Sequence, residues 1–227
     1  MGFTDPTSWS CWVVMTFGFA VLYVAKVNKE AAFRALENFC RKNNFFFQAK
    51  PDRSINYKIT GKSNGRSWNI ENFVDLHRNH ITRKDESLLR YTCNGVYVDD
   101  GFGVMHMHYK DAQPQSNPER YIKDNAEVLF HGDLEKDFDS MEMTSHGEKD
   151  FADSYVAFIK AQSSIMKIID SEIQRYLLAV YAKKCASGYF GILFSQKGML
   201  IKAPGSNNEK EVMNLILLSE KILKKAD

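Results

Sequence analysis

From Trp9 to Ala25 the chain reads WSCWVVMTFGFAVLYVA, without one charged side chain, and Lys26 and Lys29 follow at once. In hydrocarbon every backbone polar group must be satisfied within its own segment, so such a stretch does best as a helix at or through a bilayer. A hydrocarbon core needs roughly 20 helical residues and accepts about 17 to 25; Thr7 to Ala25 supplies 19. The apolar residues fall on every side of a helix rather than along one stripe, which favours lipid over a protein core as surroundings. A cleaved signal peptide wants bases before the apolar run, whereas Met1 to Ser8 contains only Asp5 as a charged residue. The expectation is a short tail at 1–8 and a transmembrane helix at 9–25.

The positive flank of a span faces the cytoplasm. Lys26, Lys29, Arg34, Arg41 and Lys42 follow the apolar run and none precedes it, which predicts a single-pass protein with its bulk in the cytoplasm. Cysteine usage agrees: Cys11, Cys40, Cys93 and Cys185 are scattered and form no C-x-x-C pair, as expected of reduced thiols.

The rest of the chain is long enough to bury a real core, and 44% hydrophobic with 13% aromatic residues excludes a disordered tail. The net charge of +2 conceals an asymmetry. Lys26 to Arg66 holds ten bases against three acids, and Lys123 to Asp153 three bases against ten acids. A basic stretch beside an apolar helix suits anionic lipid headgroups, at about 1 kcal/mol per base near the surface. Nucleic acid is not the expected partner. Arg66 with Trp68 and Lys58 with Tyr57 alternate along strands, where an aromatic covers a sheet, and the acidic second half opposes a polyanion.

Periodicity gives the architecture. Ala32, Phe33, Leu36, Phe39 and Cys40 recur at helical spacing over Lys29 to Lys42, predicting an amphipathic helix continuous with the apolar one. INYKITG and RSWNIE flank Asn64-Gly65, a dipeptide that tolerates the positive φ of a tight turn, and predict a hairpin. A second hairpin is expected where Leu88–Val98 meets Phe102–Tyr109 through Asp99-Asp100-Gly101. DAQPQSNP at 111–118 marks a loop, dividing the soluble part into subdomains at 26–110 and 111–227. Helix is then expected within Glu119–Leu129, around Asp150–Ile169 and over Ser171–Lys184. Strands follow at Tyr189–Phe194 and Met199–Ala203, with a closing amphipathic helix over Asn208–Lys225. Antiparallel hairpins packed with helices make an α+β fold.

The chemical motifs are sparse. His106 and His108 lie two apart on a predicted strand and share a face, so they are the weak candidates for a metal, with His77 or His80 as further donors. No third and fourth ligand follows from spacing, and Phe102 and Val104 occupy the same face, so no metal and no cofactor are expected. Asp133, Glu135, Asp137 and Asp139 alternate, and a strand would place all four carboxylates on one face, either solvated or docked to a basic partner. Gly61-x-x-x-Gly65-Arg66 is not a phosphate loop, because the glycines bracket a hairpin tip rather than opening a helix. No nucleophile elbow accompanies Ser154 or Ser145, and no catalytic residue is expected.

Tyr57, Thr60 and Gly61, then Gly65, Arg66 and Trp68, follow the order tyrosine-x-x-threonine-glycine, short loop, glycine-arginine-x-hydrophobic. With Asp137-Phe138-Asp139 and the final hairpin and helix from Gly191 to Leu223, this resembles a group of bacterial membrane-anchored α+β proteins without a known activity. The resemblance implies an α+β fold and membrane association, and no catalytic residues. The expected function is therefore a non-enzymatic, membrane-tethered interaction module, a subunit or accessory factor of an envelope-associated complex at the bacterial inner membrane, holding a protein partner. The alternative is a membrane-tethered enzyme or a small-ligand or metal sensor centred on His106 and His108.

Overall fold

The structure is a computed structural model that describes residues 6–52, 54–74, 87–96, 101–106, 118–130, 141–160, 163–182, 190–195, 198–205 and 207–226. Helix α1 runs unbroken from Pro6 to Lys42. It stops at Asn43-Asn44: Asn44 takes a left-handed φ of 57°, and the Phe45 N–H reaches back to the Cys40 carbonyl at 2.8 Å. This is the common helix-ending geometry in which asparagine substitutes for glycine.

Among the described residues nine strands form one antiparallel sheet in the order β1-β2-β3-β4-β9-β8-β5-β7-β6. They are β1 Phe46–Ala49, β2 Ile55–Ser63, β3 Arg66–Val74, β4 Ser87–Cys93, β5 Phe102–His106, β6 Glu142–Thr144, β7 Tyr155–Ile159, β8 Gly191–Ser195 and β9 Gly198–Pro204. The remaining helices are α2 Pro118–Phe130, α3 Lys149–Ala152, α4 Ser163–Ile168, α5 Ser171–Leu177 (continued as a wider π turn over Leu178–Ala182) and α6 Glu209–Ala226. Strands from both sides of residue 111 share the sheet, because β4 pairs with β9 and β5 with β7 and β8.

Alternation along the strands assigns the faces. Tyr57, Ile59, Trp68, Ile70, Tyr91, Val104, Tyr155, Ile192 and Ile201 bury into one large core with α1, α4, α5 and α6. Met105, Val156, Phe158, Leu193 and Leu200 point the other way, into a smaller core closed by Ala126, Leu129 and Phe130 of α2. At Gly191 α2 comes so close that any Cβ would enter the Leu129 and Phe130 side chains.

The expected first hairpin is present, with Asn64 and Gly65 at φ 51° and 76°. The strands β8 and β9 pair as expected, as do the helices α2, α5 and α6 with their predicted ranges. Two expectations are corrected. The strands β4 and β5 are not a hairpin, since β9 and β8 lie between them. Asp150–Ile169 is not mainly helix, since Tyr155–Ile159 is a strand buried on both faces and only its flanks are helical. A short run apolar at every position has no period to separate the two states.

The N-terminal span also changes status. Among the described residues no helix is long and apolar enough to cross a membrane. A transmembrane helix at 9–25 is therefore not supported by the fold. What stands is one helix running through that segment, with the side chains of 6–20, 22 and 25 outside the described residues.

Candidate interaction surface

Helix α1 joins two environments. Toward its C-terminal end Leu36 and Cys40 are fully buried. Phe33 meets Phe47 and Tyr57 edge-on at 6.3 and 6.1 Å, and Phe39 packs 6.2 Å from Phe45, which meets Trp68 at 4.9 Å. Edge-to-face aromatic contacts of this kind add about 0.5–1.5 kcal/mol each beyond burial. Burial, with smaller contributions from Glu209 and Glu37, pushes the Cys40 thiol up to about 11. Burial likewise raises the Tyr57 hydroxyl.

One to four turns earlier the same helix leaves Val21, Tyr23, Val24 and Val27 exposed, at 54, 69, 56 and 44%. At about 100° per residue Val24 and Val27 fall on the side turned away from Phe33, Leu36 and Cys40, with Val21 and Tyr23 flanking them. Ala31 and Ala35 continue that outward stripe. It leads into an open groove between α1 and the start of α6, floored by Ala35, Phe39 and Met213 and rimmed by Asn208, Glu209 and Lys210.

A polar chain fixes α1 to the sheet. The Lys29 ammonium donates to Asn56 Oδ1 at 3.3 Å, and Asn56 Nδ2 donates to Asn72 Oδ1 at 2.9 Å. Asn72, fully buried, donates in turn to Ser87 Oγ at 2.6 Å and to the Leu88 carbonyl at 3.4 Å. A buried amide satisfied on both sides adds geometric specificity to the groups it joins. Sequence reasoning missed this chain. Its signal was Asn72 itself, which stands on the core-facing register of β3 where Trp68 and Ile70 predict an apolar residue.

The five basic residues expected near the membrane, Lys26, Lys29, Arg34, Arg41 and Lys42, are all exposed on α1, but they do not form one patch. Sixteen residues separate Lys26 from Lys42, about 24 Å along the helix. Arg41 instead faces Glu37 at 3.6 Å. On the second face of the sheet Lys58 and Arg90 clamp Glu71 from both sides. Burial alone would raise the Glu71 carboxyl, but hydrogen bonds from Arg90 and Lys58 outweigh it and hold it below its ordinary range.

His106 closes β5 at 9% exposure, its ring edge-on to Tyr155 at 5.0 Å. His108, like His77 and His80, lies outside the described residues, and so do Asp133, Glu135, Asp137 and Asp139. Among the described residues no group of three or more His, Cys, Asp or Glu is placed to hold a metal ion. Cys40 and Cys93 are buried free thiols.

No protein-family model and no curated protein matches the sequence. The fold is similar to the crystal structure of the mycobacterial trehalose monomycolate transport factor A, TtfA, with 6% identity, 86% of this chain and 93% of that chain covered, and a TM-score of 0.49. At that level the similarity carries no statement about function.

Proposed function

We propose that this protein is a non-enzymatic, membrane-tethered interaction module, a subunit or accessory factor of an envelope-associated complex at a bacterial inner membrane. In this reading Trp9–Ala25 is the single span, the domain lies in the cytoplasm, and a protein partner is held beside α1. The observation that carries it is the continuity of α1. One unbroken helix connects an uncharged 17-residue stretch to a domain into which it is anchored by Phe33, Leu36, Cys40 and the Lys29–Asn56–Asn72–Ser87 chain. Four exposed apolar side chains just before the anchor are expensive to keep in water, at about 25 cal/mol per Å² of apolar surface. Lipid or a partner helix removes that cost.

The histidine-centred alternative rests on His106, buried against Tyr155, and on His108, which lies outside the described residues. Fractionation tests the tether. The full-length chain should stay with alkaline-washed membranes, and a form lacking Met1–Ala25 should be released. Affinity purification of the two forms in detergent, with mass spectrometry, tests the complex: stoichiometric partners should accompany the full-length chain. A full-length chain found in the soluble fraction would sink the proposal.

A further inference from the structure

The structure assigns the headgroup-facing surface of the domain to Lys26, Lys29 and Lys50, with anionic phospholipid as its partner, and takes Arg41 and Lys42 out of it. The inference rests on the tether proposed above and adds which end of the domain meets the bilayer.

The chain doubles back after α1. Asn43 and Asn44 reverse its direction, and β1 returns alongside the helix toward its apolar end. The aromatic pairs record this course: Phe45 meets Phe39, and two residues later Phe47 meets Phe33, one and a half turns nearer the apolar segment. The next step brings the β1–β2 connection level with Lys29. The Lys50 N–H donates to the Asn56 carbonyl at 2.8 Å, and the Asn56 side chain accepts from the Lys29 ammonium at 3.3 Å. Lys50 therefore sits one residue from the point where Lys29 touches the sheet, although 24 positions separate Lys50 from Lys26 in sequence. It is exposed and holds a left-handed φ of 48° at the turn.

The neighbouring charges are mixed but favour an anion. Among the described residues Glu30 on α1 and Asp52 in the turn are the acids on these two segments, and Asp52 already accepts from the Ser54 N–H at 3.3 Å. Lys26, one turn closer to the apolar stretch, and Lys50 are exposed. A negatively charged leaflet acts only within about a Debye length, on the order of 8–10 Å at physiological salt. Arg41 and Lys42 lie about 20 Å or more farther along the helix than Lys26. They are basic and close in sequence to the apolar segment, yet beyond the reach of its surface.

The test uses the full-length chain reconstituted into two kinds of vesicle, phosphatidylcholine alone and phosphatidylcholine with about a third phosphatidylglycerol. A water-soluble amine-acylating reagent is applied and each lysine followed by mass spectrometry. Anionic vesicles should slow the modification of Lys26 and Lys50 by about fivefold relative to zwitterionic ones, the size expected for one lysine beside an anionic leaflet, and should leave Lys42 unchanged. Raising the salt to about 1 M, where the Debye length is about 3 Å, should erase the difference. If the chain floats with both vesicle types and Lys50 reacts as fast in one as in the other, or Lys42 is slowed as much as Lys50, this inference is overturned and the tether stands. A chain that floats with neither overturns both.

Discussion

Two stretches of one helix are treated in opposite ways. Between Lys29 and Lys42, α1 is an ordinary amphipathic element: Leu36 and Cys40 are buried, Phe33 and Phe39 pack on β1 and its flanks, and Arg34, Glu37 and Arg41 face water. Between Val21 and Val27 the same helix exposes its apolar side chains. Helix propensity does not separate the two, since both are helical without interruption. The difference lies in what each stretch is given to pack on, and it teaches that α1 belongs to the domain only from about Lys29 onward. An apolar residue should therefore matter to domain stability in the second stretch and, under the proposed tether, to membrane retention in the first.

The largest expected effect breaks or sustains that contrast directly. Leu36→Ala removes a fully buried side chain and should cost about 2–5 kcal/mol. Val27→Ala, on the outward stripe, should stay within about 0.5 kcal/mol. Urea titration of the full-length chain in mild detergent measures both. Equal losses would show that the domain grips the helix along its whole length.

Next in size is the polar chain at the boundary. Asn72→Ala leaves the Asn56 amide without its acceptor and takes the amide donor from Ser87 Oγ and the Leu88 carbonyl, a loss of about 1–3 kcal/mol. The same titration should find Asn56→Ala milder, because Asn56 is only half-buried. The reverse order would move the anchor of α1 from Asn72 to Lys29.

The Cys40 thiol gives a pH-dependent version of the same test. Its folded pKa is raised, to about 11 from an ordinary 9, so the buried neutral thiol contributes stability that is fully present below pH 9. That contribution fades as the pH climbs toward 11, because the unfolded chain ionises first and gives up protons that the folded state keeps. Cys40→Ala should flatten the alkaline limb of the stability profile and change it little near neutrality beyond the lost packing. Tyr57, raised by burial in the same layer, keeps part of the limb in the variant. An unchanged limb in Cys40→Ala would mean that the docked end of α1 does not hold the thiol away from solvent.

How much of this was legible depended on whether local pattern and tertiary placement agreed. Asn64-Gly65 between alternating runs could only be a tight hairpin, and Val212, Leu215, Ile216, Ile222 and Leu223 could only be one face of a helix. YVAFI was not legible, because a strand covered on both sides shows no alternation. The pairing of β4 with β9 was hidden for another reason. The two are more than 100 residues apart, and a turn signal such as Asp-Asp-Gly speaks only for neighbours in sequence. Phe46–Ala49 went unread because four residues at a sheet edge, only one of them partly buried, carry too little pattern. The spatial grouping of the basic side chains was not legible. Lys50 joins Lys29 only through the reversal at Asn43-Asn44, and Arg41 and Lys42 are carried away by the rise of the helix.

The smallest expected effect concerns Arg41. Its contact with Glu37 at 3.6 Å is between two well-exposed side chains at i and i+4, a type worth about 0.3–0.5 kcal/mol. Its place in the last helical turn adds a favourable dipole interaction of similar size. Arg41→Ala should therefore lower stability by less than about 1 kcal/mol, an effect that 0.5 M salt removes, and should leave membrane retention untouched. The last point carries the weight. If Arg41 sat in the headgroup region, its loss would weaken retention on anionic membranes as the loss of Lys26 does. If α1 stands off the bilayer as a rod docked into the sheet from Lys29 onward, Arg41 is only an ordinary helix-end residue about 20 Å along the helix from Lys26. A retention defect in Arg41→Ala comparable to that of Lys26→Ala would mean that the helix lies along the membrane rather than projecting from it.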